Sequence, residues 1–260
     1  MKPIAPDDRG FALGHGLFET ILWNDHHPGH WDTHLDRLAR GCKVLGLPAP
    51  DRVACRNVVE EALELADRPH RAAVRLNWSA GAGDSGLDPP ARFEPVLSAS
   101  AAKLGPTAGP ATMVTAVTRR NDRSPASRLK TLSCLDNVIA RGEAKKAGAD
   151  EALMLNSRGK IACAAAANVF WIVEGVLYTP APEAGVLEGI MRAEVLRAAR
   201  RSGVKVRIVR GARPVVLEDA PVFLTNSLTG VRRVARLDGR AVPVHPLVDR
   251  LARMVNPEMR

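Results

Sequence analysis

Residues 129–171, LKTLSCLDNVIARGEAKKAGADEALMLNSRGKIACAAAANVFW, constrain the fold most, because they set a lysine just ahead of a helix and run straight on into paired strands. Ser133 is predicted to cap that helix with Asp136 at the third helical position, an S-x-x-D capping box that satisfies free N–H groups. Leu135, Val138, Ile139 and Gly142 fall on one face, and Gly148 ends the helix in the left-handed conformation. GADEALMLN and NVFWIV read as strands around a Ser157-Arg158-Gly159 turn, and VEGVLYT carries another turn at Glu174-Gly175. The pattern predicts Lys130 held against a twisted antiparallel sheet. Such a lysine suits imine formation with a carbonyl cofactor, since its amine must be partly desolvated and aimed at one carbon. Most lysines are solvated surface charges, and spacing alone does not separate the two.

Upstream, GLFETILWN at 16–24 reads as a strand that turns back between Asn24-Asp25 and Gly29. THLDRLARGCKVLGL follows as a helix with Thr33 as cap and Leu35, Leu38, Cys42 and Leu45 on one face, with Arg37 beside that stripe. A second helix is predicted from Asp51 to Ala66, with Val53, Val58, Ala62 and Leu65 facing the core. Strand-like AAVRLNWS leads into Gly81-Ala82-Gly83-Asp84-Ser85-Gly86, which fits G-x-G-x-x-G. Leu87-Asp88-Pro89-Pro90 comes next, so no helix can start at those glycines and the dinucleotide fingerprint is rejected in favour of a mobile loop beside the active site. After the strand EPVLSASAA, the Gly/Pro-rich run from Leu104 marks a boundary. The expected organisation is an N-terminal α/β domain over 1–104, a linker over 105–111 and a C-terminal domain over 112–260.

Beyond the boundary, strand-like TMVTAV and the polar RRNDRSPASRLK lead up to Lys130, and the run Ala164 to Ala167 permits close packing. GVLEGIMRAEVLRAARRSG reads as a turn entering a helix at Ile190 and ending at Gly203; a loop feeding a helix N-terminus presents free N–H groups to an anion. The remaining strands and turns are expected to complete a barrel-like sheet, with a short helix over Leu247 to Met254.

At 260 residues, 46% hydrophobic and 25% charged, the chain is long enough for a full core and ordinary for a globular protein. Cys42, Cys55, Cys134 and Cys163 show no metal-ligand spacing and are expected as small core residues, with no metal site. A cytoplasmic location is expected from the start MKPIAPDDRG, which has no apolar core, and from the lack of an 18-residue apolar run, which also argues against a membrane span. The net charge of +9 is scattered through the chain beside only ten aromatics, so a solvated basic surface is expected and no nucleic acid partner.

Several of these motifs, in register over nearly the whole chain, resemble the class IV, or fold type IV, pyridoxal-phosphate enzymes: GHGLFETILWN with HLDRL, LKTLSCLDNVIARGEA, GADEALMLNSRGKIA, AANVFW, YTPAPEAGVLEGIMR and FLTNS. That family includes branched-chain and D-amino-acid aminotransferases, (R)-amine transaminases and aminodeoxychorismate lyase. The resemblance implies a two-domain α/β (α+β) fold, a smaller N-terminal α/β domain with a larger barrel-like C-terminal domain, working as a homodimer. It implies pyridoxal 5'-phosphate as cofactor and an aminotransferase that moves an amino group from an amino acid or amine to a keto acid through a Lys130 aldimine. By the same resemblance Arg37 and Ser227 bind the cofactor phosphate, as do the backbone N–H groups of Ile190 and Met191 in the Gly189 loop, and Leu187 packs on the ring. Aminodeoxychorismate lyase is the enzymatic alternative, to which AANVFW and GIMR look closer.

Three departures follow from the same alignment. Cys163 stands where a glutamate usually pairs with the pyridine nitrogen, and a neutral thiol is a much weaker partner, which opens the alternatives of altered or lost catalysis and of plain packing. Ala80 and Ser85 stand at about the places of two arginines that hold substrate carboxylates in some relatives. Tyr178 is the only tyrosine and sits at a strand end, so a catalytic tyrosine used by relatives must be replaced.

Overall fold

A computed structural model describes residues 4–25, 27–83, 86–106 and 109–256, and the chain divides into two compact units, Met1–Pro106 with Leu129–Cys134, and Thr107–Arg128 with Leu135–Arg260.

The first unit holds α1 (Arg9–Leu13), β1 (Gly16–Asn24), β2 (His27–Pro28), α2 (Trp31–Leu45), α3 (Arg52–Glu64), β3 (Arg71–Ser79) and β4 (Val96–Lys103). Its antiparallel sheet has the order β2-β1-β3-β4, with Gly16 opposite Ser79 and Asn24 opposite Arg71. Side chains alternate across a strand, so Leu17, Ile21 and Trp23 join Val74 and Leu76 in a core closed by Leu35, Leu38 and Cys42 of α2 and by Cys55, Val59 and Leu63 of α3.

Two helix details differ from expectation. Thr33 lies inside α2, whose N-cap is His30 in the left-handed region at φ 54. In α3, Asp51 caps by accepting from Ala54 N, but Val53 and Leu65 are exposed at 66% and 76%, because the face turned to the sheet is Cys55, Val59, Ala62 and Leu63. The glycine-rich loop starts no helix among its described residues, and Asp84 and Ser85 lie outside them. Gly81 adopts φ +79, where a Cβ would meet Glu94 O at 1.8 Å, so the glycine serves a tight crossing of backbone. Arg9, itself buried, ties this loop down by donating from Nη2 to Leu87 O at 3.0 Å.

The segment Leu129–Cys134 crosses back to this unit. Phe18 N donates to Lys130 O at 2.9 Å and Leu132 N to Gly16 O at 3.0 Å, which lays the lysine along β1.

The second unit holds β5 (Ala111–Thr115), α4 (Leu135–Lys146), β6 (Glu151–Leu155), β7 (Ile161–Ala164), β8 (Asn168–Val173), β9 (Val176–Pro180), α5 (Ile190–Arg201), β10 (Val206–Val209), β11 (Val222–Asn226), β12 (Gly230–Leu237), β13 (Arg240–Ala241) and α6 (Pro246–Val255). Its sheet runs β10-β9-β8-β11-β12-β5-β6-β7 with β13 on β12, a curled, half-barrel surface. Both faces are covered: Phe170 and Ile172 pack with α5 and α6, while Val169 and Trp171 pack in a second cluster on the other side. That explains the unbroken apolar run NVFWIV.

In α4 the expected apolar face is turned the other way. Leu135, Val138 and Ile139 are exposed at 66%, 58% and 47%, whereas Ala140 and Ala144 are buried. Small side chains let α4 lie close on β6, so the larger ones are left outside. The helix begins at Leu135, which moves the cap position past Ser133, and Gly148 follows it at φ 70. Among the described residues no helix is long and apolar enough to cross a membrane.

Candidate functional site

Glu19 occupies an inward position on β1, in line with Leu17 and Ile21, and is fully buried. Two residues three apart on α2 meet it: His34 Nδ1 lies 2.7 Å from Glu19 Oε2, and Arg37 donates from Nε to Oε1 at 2.8 Å and from Nη2 to Oε2. An i, i+3 pair shares one helix face, so the HLDR motif aims an imidazole and a guanidinium at the same carboxylate. Burial pushes the Glu19 carboxyl up, but the hydrogen bonds from Arg37 and His34 outweigh it and hold the group below its ordinary range. Burial lowers His34, which is therefore neutral at pH 7 and donates its Nδ1–H to Glu19; its Nε2 is buried with no partner among the described residues.

Lys130 projects from the strand-like segment paired with β1. Its ammonium nitrogen lies 4.1 Å from the Phe18 ring centroid, and the Arg75 guanidinium lies 3.7 Å from the same ring. The side chain keeps partial exposure, yet the protein atoms around it desolvate the amine: burial first, then the charge of Arg37, lowers its pKa to about 8, with Glu19 opposing and Arg75 adding. At that value about a tenth of the amine is neutral at pH 7, against about one part in three thousand for an ordinary lysine.

In the second unit, Leu187, Gly189, Ile190 and Met191 form the entry to α5. Gly189 is the N-cap and no side chain caps the helix, so its first N–H groups point out without helical partners. Asn168, at the start of β8, donates from Nδ2 to Leu187 O at 2.9 Å, and a Cβ on Gly189 would meet Asn168 Oδ1 at 2.0 Å. The loop is thus clamped at the turn where an anion would sit. Ser227 is half-buried in the turn after β11, where Asn226 Oδ1 accepts from Leu228 N and Thr229 N and Asn226 Nδ2 donates to Ala166 O. Cys163 faces inward on β7 opposite Met154; burial raises its thiol to about 11, against the charge of Arg120, so it is neutral.

Arg37 and Lys130 therefore share one electrostatic environment in the first unit, while Cys163, Leu187, Gly189, Ile190, Met191 and Ser227 belong to the second. Ala80 is fully buried in the first unit's core and presents no polar group, and Ser85 lies outside the described residues. Sequence inspection left Glu19, His34 and Asn168 unassigned. A signal was present for Glu19 and Asn168, each a polar group with apolar residues two positions away on both sides, Leu17 and Ile21, and Ala166 and Phe170; His34 carried none of this kind. The first unit thus presents a deprotonatable amine, suited to a carbonyl carbon, and the second an uncapped helix entry, suited to an anion.

A family model described as "Amino-transferase class IV" matches residues 16–237. A Methanocaldococcus jannaschii protein provisionally named a branched-chain amino acid aminotransferase is 31% identical over 244 residues, covering 90% of this chain and 83% of that one. The aminodeoxychorismate lyase of Bacillus subtilis is 29% identical over 229 residues, covering 86% and 78%. Among solved structures, a Legionella pneumophila protein provisionally named 4-amino-4-deoxychorismate lyase superposes with a TM-score of 0.87 at 30% identity, covering 96% of this chain and 93% of that one.

Proposed function

The chain belongs to the class IV aminotransferases, a pyridoxal-phosphate-dependent enzyme family, and we propose that it transfers an amino group between an amino acid or amine and a keto acid with Lys130 as the catalytic residue. The observation that carries this is the lowered pKa of a partly exposed lysine laid along β1. Bound pyridoxal phosphate supplies the electron sink for a carbanion at the substrate carbon that bears nitrogen. Lys130 Nζ, neutral in a useful fraction at pH 7, removes the proton from that carbon. Arg37, with the backbone N–H groups of Ile190 and Met191 and the Ser227 hydroxyl, is proposed to bind the phosphate; Gly189 keeps the approach open and Leu187 packs on the ring. Cys163, a neutral thiol, is proposed to stand where relatives carry a carboxylate at the ring nitrogen, and it would hold a proton on that nitrogen far less well than a carboxylate would.

A second reading is supported by the names of the Bacillus and Legionella relatives: elimination from aminodeoxychorismate, which uses the same proton abstraction. We place the chain in solution as a homodimer, supported by the exposed apolar row Leu135, Val138 and Ile139; a monomer mass by light scattering overturns that part alone.

The test is to add pyridoxal phosphate to purified protein, record the visible absorption band, reduce with borohydride and map the modified peptide. Label on Lys130, followed by spectral turnover with L-amino acids, D-amino acids, amines or aminodeoxychorismate, supports the proposal and separates its two readings. Label scattered over several lysines overturns it.

A further inference from the structure

A charged group on the inward face of β1 needs a reason. Its face neighbours Leu17, Ile21 and Trp23 are core residues, and the Glu19 carboxylate is as buried as they are. Buried ion pairs contribute little net stability against apolar replacements of the same volume, so packing alone does not account for a glutamate there.

We propose that Glu19 is the positioning residue of this site: its carboxylate orients Arg37 through two hydrogen bonds and supplies negative charge one residue along β1 from Phe18, on whose ring Arg75 and Lys130 lie, while His34 holds it in place. A guanidinium has five donors in a rigid fork. Nε and Nη2 of Arg37 are committed to Glu19, which fixes the plane of the fork and the direction of its remaining N–H groups. His34 fixes the carboxylate in turn. Because it is neutral, it donates a hydrogen bond without cancelling the charge.

The second role is electrostatic. The groups acting on the Lys130 amine are Arg37 and Arg75, which disfavour its charged form, and Glu19 and Cys134, which favour it. Glu19 thus favours the protonated amine against burial, Arg37 and Arg75, and the remaining neutral fraction is free to take a proton. The phosphate part of this inference rests on the cofactor assignment; the effect on the amine does not.

The experiment uses the full chain with Glu19→Gln and Glu19→Asp, each first melted by circular dichroism. In cofactor-free protein, lysines are reductively methylated with ¹³C and titrated by NMR, the Lys130 signal being identified by its loss in Lys130→Arg. Glu19→Gln is expected to lower the Lys130 midpoint by about one pH unit and to weaken pyridoxal phosphate binding, read by equilibrium dialysis, about tenfold. Glu19→Asp keeps the charge but is too short to reach both Arg37 nitrogens, so the midpoint is expected to stay within a few tenths of wild type while affinity still falls.

A folded Glu19→Gln protein with unchanged midpoint and affinity overturns the inference, and so does a Glu19→Asp midpoint that drops as far as the Gln one. If Glu19→Gln does not fold, the Asp variant decides alone: a held midpoint with lost affinity supports the inference and a fallen midpoint overturns it. Wild type that fails to bind pyridoxal phosphate, with the Gln midpoint still lowered, overturns the cofactor assignment and leaves the charge role of Glu19 supported.

Discussion

Phe18 and Lys130 are joined twice. The Phe18 N–H donates to the Lys130 carbonyl at 2.9 Å, and the Lys130 ammonium lies 4.1 Å from the Phe18 ring centroid. Backbone pairing fixes where the lysine leaves the chain, and the ring offers its terminal nitrogen a surface with which a cation interacts favourably. Between them the amine is held at a partly exposed position.

Burial and the charge of Arg37 give this amine a shifted titration. Lys130 should react with an acylating reagent with a midpoint near pH 8, well below the ordinary lysine value of 10.5. Its folded pKa lies below its unfolded one, so between about pH 8 and 10.5 the unfolded chain binds more protons and stability rises with pH through that window. Below it the buried charge is a standing cost. Lys130→Met should therefore raise Tm at pH 7 by about 2–4 °C and by less at pH 10, measured by thermal denaturation.

Removing the proposed catalytic groups should separate chemistry from binding. Lys130→Ala is expected to abolish borohydride-trapped label and to reduce turnover by at least about a thousandfold; retained turnover would remove Lys130 from the mechanism. Arg37→Ala should weaken pyridoxal phosphate binding by about ten- to a hundredfold, and it also leaves the buried Glu19 carboxylate without its main partner, so Tm should fall as well.

Gly189→Ala tests the helix entry. The new Cβ would fall 2.0 Å from Asn168 Oδ1 and must displace the side chain that holds Leu187 O. A stability loss of about 1–3 kcal/mol in urea titrations should accompany weaker cofactor binding. A variant unchanged in both would show that the clamp is not needed.

The thiols make a chemical prediction. Burial raises Cys42, Cys55 and Cys163 to about 11, so at pH 8 iodoacetamide should label none of them in the folded protein, while the half-buried Cys134 reacts first. Cys163→Glu should speed amino transfer if a missing carboxylate limits the reaction, as read by kcat for the best donor. A loss of kcat in a folded variant would mean that the thiol site suits another chemistry.

Much of the local structure could be read from residue order. The strand GLFETILWN, the Glu174-Gly175 hairpin and the α5 entry follow from periodicity and turn chemistry, which act over a few residues. Helix faces were read less well. Val53 of α3 and Leu65 at its C-cap are exposed while Cys55 and Leu63 are buried, and in α4 the small alanines turn inward. Several faces of a short helix carry enough apolar surface to serve, and the sheet it meets selects one.

The amino-acid sequence by itself determined the elements, the lysine ahead of α4 and the motifs that place the chain in its family, because each is encoded within a short span or in the order of such spans. Only the tertiary structure decided that Leu129–Cys134 returns to β1, and that His34 and Arg37 converge on the buried Glu19 carboxylate. Those contacts join residues from 15 to more than 100 positions apart. Burying these polar groups is costly unless each meets its partner, and neither burial nor the partner is defined until the sheet and α2 have packed.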